Sequence, residues 1–140
     1  MRMKRPISLY LSHTWSYGGL ANNLAALLDA AVPNYTFQLI MIPPESPVHR
    51  EENIRLLDKE IRDSMEICSA LLLAGGLYDR FGRWIHREIE AAKGNIFAVK
   101  PVVTILPWAD VPAGAVEKEA SNAVVGWNPR ELGEALARLI

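Results

Sequence analysis

The sequence contains one cysteine, Cys68, among 140 residues. One thiol closes no internal bridge, and no CxxC accompanies it. That excludes a disulfide scaffold and points to a reducing compartment. Cys68 lies in an apolar run, where a thiol is more often buried and inert than nucleophilic. Long hydrophobic runs are missing as well. No stretch of about 18 apolar residues is present, so no segment is expected to span a membrane. The apolar stretch after Met1-Arg2-Met3-Lys4-Arg5 is too short and too polar for a signal peptide. Neither sign of charge is in excess: 15 basic residues stand against 16 acidic ones, for a formal net charge of −1. The basic stripe of a nucleic-acid surface is therefore not expected. The three histidines, His13, His49 and His86, have no metal-ligand spacing. There is no GxGxxG, no GxxxxGK[ST] and no GxSxG. These absences leave a cytoplasmic domain with no metal and no resident cofactor. With 50% apolar residues, the chain can build one core spanning 1–140. Any sensor or effector is expected on a separate chain.

What is present is alternation. Short apolar runs are separated by amphipathic stretches, the pattern of βαβ units around a mainly parallel sheet. Strands are expected at Ile7 to Leu11, Thr36 to Ile42, Ser69 to Ala74, Phe97 to Ile105 and Ala123 to Val125. Pro101 inside the fourth hints at an edge or a bulge. Helices are expected after Gly18-Gly19, from Asn53 to Ile67, from Arg80 to Lys93, from Ala115 to Ala120, and after Asn128, with Pro129 at the first position of the last. This succession predicts an α/β, doubly wound, three-layered sheet of order 2-1-3-4-5. In such a sheet, ligands bind beyond the strand carboxyl ends where the order reverses. The walls of that crevice are Ser12 to Gly19 and Gly75 to Arg83.

One residue breaks the pattern. At about 100° per residue, Phe81, Trp84, Ile85, Ile89, Ala91 and Ala92 share one apolar stripe of the third helix. Glu88 falls near the middle of that stripe, while Glu90 points away. A carboxylate on an inward face needs a reason, because burying a charge costs several kcal/mol without partners. The reason is either structural, such as an ion pair or backbone N–H donors, or a site facing the crevice. Trp84 on the same face is either core or a flat wall beside the carboxylate. The stretch Ser12-His13-Thr14-Trp15-Ser16-Tyr17 is either a helix cap or a polar, aromatic ligand wall.

Arg83-Trp84-Ile85-His86-Arg87-Glu88-Ile89 resembles the WxxxE region of catalytic TIR domains. Further stretches are similar to the bacterial TIR-like group that includes the Thoeris anti-phage proteins. They are Leu11-Ser12-His13-Thr14-Trp15, Pro44-Glu45-Ser46-Pro47-Val48-His49, Leu73-Ala74-Gly75-Gly76-Leu77-Tyr78 and Val125-Gly126-Trp127-Asn128. The chain departs from that group at Tyr17-Gly18-Gly19 and at Leu106-Pro107-Trp108-Ala109. The resemblance implies a flavodoxin-like TIR fold and NAD+ as substrate, with Glu88 as catalytic residue. It also implies Ser12, His13, Trp15, His49, Tyr78 and Trp84 as substrate-binding residues, and a cyclic or modified ADP-ribose product. A homo-oligomer on activation is implied too, with 43–49 in the place of the assembly loop. The alternatives are a non-enzymatic scaffold and a nucleotide-sensing module.

Overall fold

The computed structural model describes residues 5–42, 54–94 and 98–140. In chain order, strands β1 (Arg5–Leu11), β2 (Tyr35–Ile40), β3 (Ala70–Ala74), β4 (Val102–Ile105) and β5 (Ala123–Val125) alternate with helices. The helices are α1 (Leu20–Ala31), α2 (Ile54–Glu66), α3 (Tyr78–Lys93), α4 (Ala115–Ala120) and α5 (Pro129–Leu139), and a 3-10 segment, His13–Gly19, precedes α1. The strands form one parallel sheet of order 2-1-3-4-5, as the alternation predicts.

Parallel strands need crossover helices, which cover both faces of the sheet and demand apolar central strands. β3 meets that demand with Ala70-Leu71-Leu72-Leu73-Ala74, all buried. Alternate residues divide the core into two halves. Leu9, Leu11, Leu72, Val103 and Ile105 pack with Leu24 and Leu28 of α1 and Leu132 and Leu136 of α5. Tyr10, Leu71, Leu73 and Val102 face the other way, onto Leu57, Ile61 and Met65 of α2 and Ile85 and Ala92 of α3. The domain is therefore three-layered.

Several boundaries differ from expectation. β4 starts at Val102, not Phe97, and residues 98–101 are irregular. Pro101 has no N–H for a ladder; its carbonyl accepts from Leu71 N–H at 2.9 Å, just before the strand begins. β2 ends at Ile40, and α3 begins two residues early, at Tyr78. α5 starts as expected: Asn128 Oδ1 accepts from Arg130 N–H at 2.8 Å and Glu131 N–H at 3.2 Å, and Pro129 fills the first position, where no N–H is needed. His49 and the proline-rich loop expected at 43–52 lie outside the described residues.

Candidate functional site

α3 leaves the carboxyl end of β3 and runs back antiparallel to the strands. Its first turns therefore overhang the strand ends, and its conformation is interrupted at Phe81 (φ −123°, ψ 18°). The inward stripe is Ile85, Glu88, Ala91 and Ala92. Glu90 points to solvent. Glu88 is 1% exposed, so its carboxyl is covered rather than open to the crevice.

The carboxyl is held by donors from the end of β1. Ser12 Oγ donates to Oε1 at 2.6 Å, and His13 N–H donates to Oε2 at 2.9 Å. Thr14 N–H donates to Ser12 Oγ at 3.2 Å, which aims the hydroxyl proton at Glu88. The Tyr10 hydroxyl also faces the carboxyl from the sheet. No ion pair of the described residues includes Glu88. Burial and hydrogen bonding oppose each other here. Burial favours the neutral acid, while Ser12, His13 and Tyr10 favour the anion. Burial prevails, and the group is pushed up to about 8. The short Ser12 contact nevertheless has the length of a charge-assisted bond. The same carboxyl, after burial, pushes the Tyr10 hydroxyl above the usual phenol range.

Sequence placed Ser12, His13, Trp15, Tyr78 and Trp84 around Glu88, and the structure divides them. Ser12 and His13 touch the carboxyl directly. The His13 ring stacks on Trp84, with centroids 4.2 Å apart and planes at 17°, and meets Phe81 edge-on at 5.8 Å. Trp84 is one turn before Glu88, so the stack lies on the strand-end side of the carboxyl. Trp15 requires a correction: it is fully buried, and its indole N–H donates to Leu72 C=O at 3.0 Å. It is part of the core. Tyr78 also stands apart, its hydroxyl 2.9 Å from His86 Nε2 and its ring against Gly82. Cys68 is buried as expected, and burial pushes its thiol up to about 11.

The segment that carries Ser12 and His13 is tied to β3. Ser12 N–H donates to Leu72 C=O at 2.9 Å, and Thr14 Oγ1 accepts from Ala74 N–H at 2.9 Å. Two residues of this region escaped the sequence reading. Tyr10 shares a sheet face with Leu71 and Leu73, and strand alternation could have pointed it towards α3. Glu117 is buried and accepts from Gly76 N–H at 3.0 Å. It lies in a six-residue helix, too short to show a periodicity. No group of three or more possible metal ligands exists among the described residues, and none of their helices is long and apolar enough to cross a membrane.

No family model matches the chain, and no curated protein does. Among solved structures, the diflavin flavoprotein A3 from Nostoc sp. is similar over 98% of this chain and 96% of that one, with a TM-score of 0.52 and 7% identity. At that identity the likeness speaks for a flavodoxin-like fold and leaves ligand and reaction to the chemistry of the site.

Proposed function

We propose that the protein cleaves the nicotinamide–ribose bond of NAD+ and that Glu88 stabilises the transition state. The observation that supports this reading is one carboxyl, buried at the strand carboxyl ends and held, among the described residues, by hydroxyl and backbone donors rather than by a cation. Perturbed carboxyls in such places are candidates for chemistry. The resemblance of 83–89 to the WxxxE region supports the same residue.

In the reaction, the C1′–N bond breaks and its electron pair moves onto the pyridinium nitrogen. Nicotinamide leaves neutral and needs no general acid. Positive charge develops on the ribose as an oxocarbenium ion, and a fixed carboxylate offsets it. Water, or a hydroxyl of the substrate's own adenosine, then attacks C1′ and loses a proton, giving ADP-ribose or a cyclic product. The likeness to the Thoeris group supports an anti-phage signal as the product, a homo-oligomer as the active form and a separate effector chain.

The covered carboxyl adds two conditions. The His13–Trp84 stack must part before ribose reaches Glu88. Glu88 must also ionise, since a group titrating near about 8 is mostly neutral at pH 7. Access of water on opening favours the second of these.

A second reading has an observation of its own. Glu88 is so fully enclosed that it ties α3 to the end of β1, and such a tie suits a non-enzymatic scaffold or a nucleotide sensor equally well. NAD+ loss and product mass in cells, with and without phage challenge, separate the readings. Glu88→Gln is expected to lower nicotinamide release at least 100-fold, Glu90→Ala to match wild type, and wild-type activity to rise as pH passes about 8. Equal NAD+ loss in wild type and Glu88→Gln rejects Glu88 as the catalytic group. No loss under any trigger selects the scaffold or sensor.

A further inference from the structure

A concave surface lies where the loops after β1, β3 and β4 meet, within the crevice that the strand order predicts. It is an open hollow of about 480 Å³, and its walls include Tyr17, Leu77, Asp79, Arg80, Trp108 and Asp110. Arg80 precedes Glu88 by eight residues of α3, on the other side of the interruption at Phe81.

Two walls are aromatic and set at right angles. The Tyr17 and Trp108 rings are 5.9 Å apart with planes at 88°. Both are half-buried and pack from behind on the α1/α5 core, which fixes their orientation. The Arg80 guanidinium lies 5.0 Å from the Tyr17 ring centre. Asp79, Arg80 and Asp110 are exposed, and none of them pairs with a charged residue among those described.

The floor is rigid. Gly76 has φ +86°, and a Cβ there would stand 2.5 Å from Val111 Cγ1, so the β3 and β4 loops touch at a position only glycine fills. The buried Glu117 carboxylate accepts the Gly76 and Gly114 N–H groups and clamps the two loops together. A buried carboxylate with no cation among the described residues is a costly clamp, and it holds the crevice in one shape before any ligand arrives.

We propose that this crevice binds a nucleoside monophosphate whose base carries an amino group. The flat base lies in the corner between Tyr17 and Trp108, as bases do on aromatic side chains. Its N–H donors meet the Asp79 and Asp110 carboxylates. Arg80 turns from the Tyr17 ring to the phosphate, for which a guanidinium fork is suited. Two acids against one base disfavour longer phosphate chains. AMP binding is measurable apart from the chemistry assigned to Glu88.

Calorimetric titration of the whole chain with AMP, ATP, FMN and ribose 5-phosphate, without divalent metal, tests it. AMP is expected to bind at least ten-fold more tightly than ATP and ribose 5-phosphate. Trp108→Ala should weaken AMP at least ten-fold. Arg80→Gln, an exposed change that leaves the fold intact, should weaken AMP and spare adenosine. Glu90→Ala, on the solvent side of α3, should bind AMP as wild type does. Four results overturn the proposal: no AMP binding, FMN binding without AMP, equal binding of ribose 5-phosphate, or AMP binding indifferent to Arg80→Gln.

Discussion

Trp15 and Glu88 exchange the roles their chemistry announces. The tryptophan, read as a ligand wall, fills the core and gives its one N–H to Leu72. The glutamate, charged in every ordinary setting, is enclosed with donors on both oxygens. Truncating Trp15 to Ala removes a fully buried side chain and leaves the Leu72 carbonyl without that donor. The expected cost is about 3–5 kcal/mol, measured as a shift in the urea midpoint. A surface or ligand-wall residue would cost well under half of that. Sequence located Glu88 because helical phase is a local property: three residues either side fix which way a side chain faces. It misplaced Trp15 because Ser12 to Tyr17 has no regular period, so nothing local says which ring turns inward.

At the scale of elements, the described helices and strands follow their punctuation. Gly18-Gly19 precedes α1, and both adopt positive φ. Asn128-Pro129 opens α5. Errors fall where sequence signals are ambiguous. A proline can sit within a strand's apolar run or just ahead of it, and only the Leu71 N–H to Pro101 C=O bond shows which applies. The start of α3 was hidden because Gly75-Gly76 and the break at Phe81 obscure its first turn. The site's covered state was not legible at all, since it depends on a contact between the end of β1 and the fourth turn of α3. One element-scale prediction concerns the β3–α3 turn. Gly76→Ala forces a side chain into left-handed φ and against Val111, and should cost about 1–3 kcal/mol. Thermal melts would show it; an unchanged melting temperature would mean the turn is not fixed as described.

For the whole molecule, the buried acids link stability to pH. Glu88 titrates near about 8 when folded, against an ordinary 4.5. The folded chain therefore holds this proton where the unfolded chain has released it. Its contribution is complete below about pH 4.5, declines as pH rises, and is lost by about pH 8. Glu117, raised mainly by its burial, acts in the same direction. Melting temperature should fall between pH 5 and pH 8, and Glu88→Gln should flatten that slope without removing it. A slope identical in wild type and Glu88→Gln would place the coupling elsewhere. The sheet order was readable because alternation and right-handed crossovers leave few topologies. The reaction was not, since the same architecture serves many unrelated chemistries.

The fastening of the Ser12–Trp15 stretch to β3 determines how anything beneath it is uncovered. With Ser12 N–H, Thr14 Oγ1 and the Trp15 indole all engaged there, a hinged flap must break three bonds at once, whereas turning the stacked His13 and Trp84 rings breaks none of these three. Ring rotation is far quicker than backbone opening. Deuterium uptake should therefore distinguish neighbours in a single stretch. The His13 amide, whose acceptor is the Glu88 carboxyl itself, should exchange faster when the acid is flooded by water. The Ser12 amide, one residue away, should keep its slow rate throughout. Simultaneous release of both would mean that the frame moves with the door.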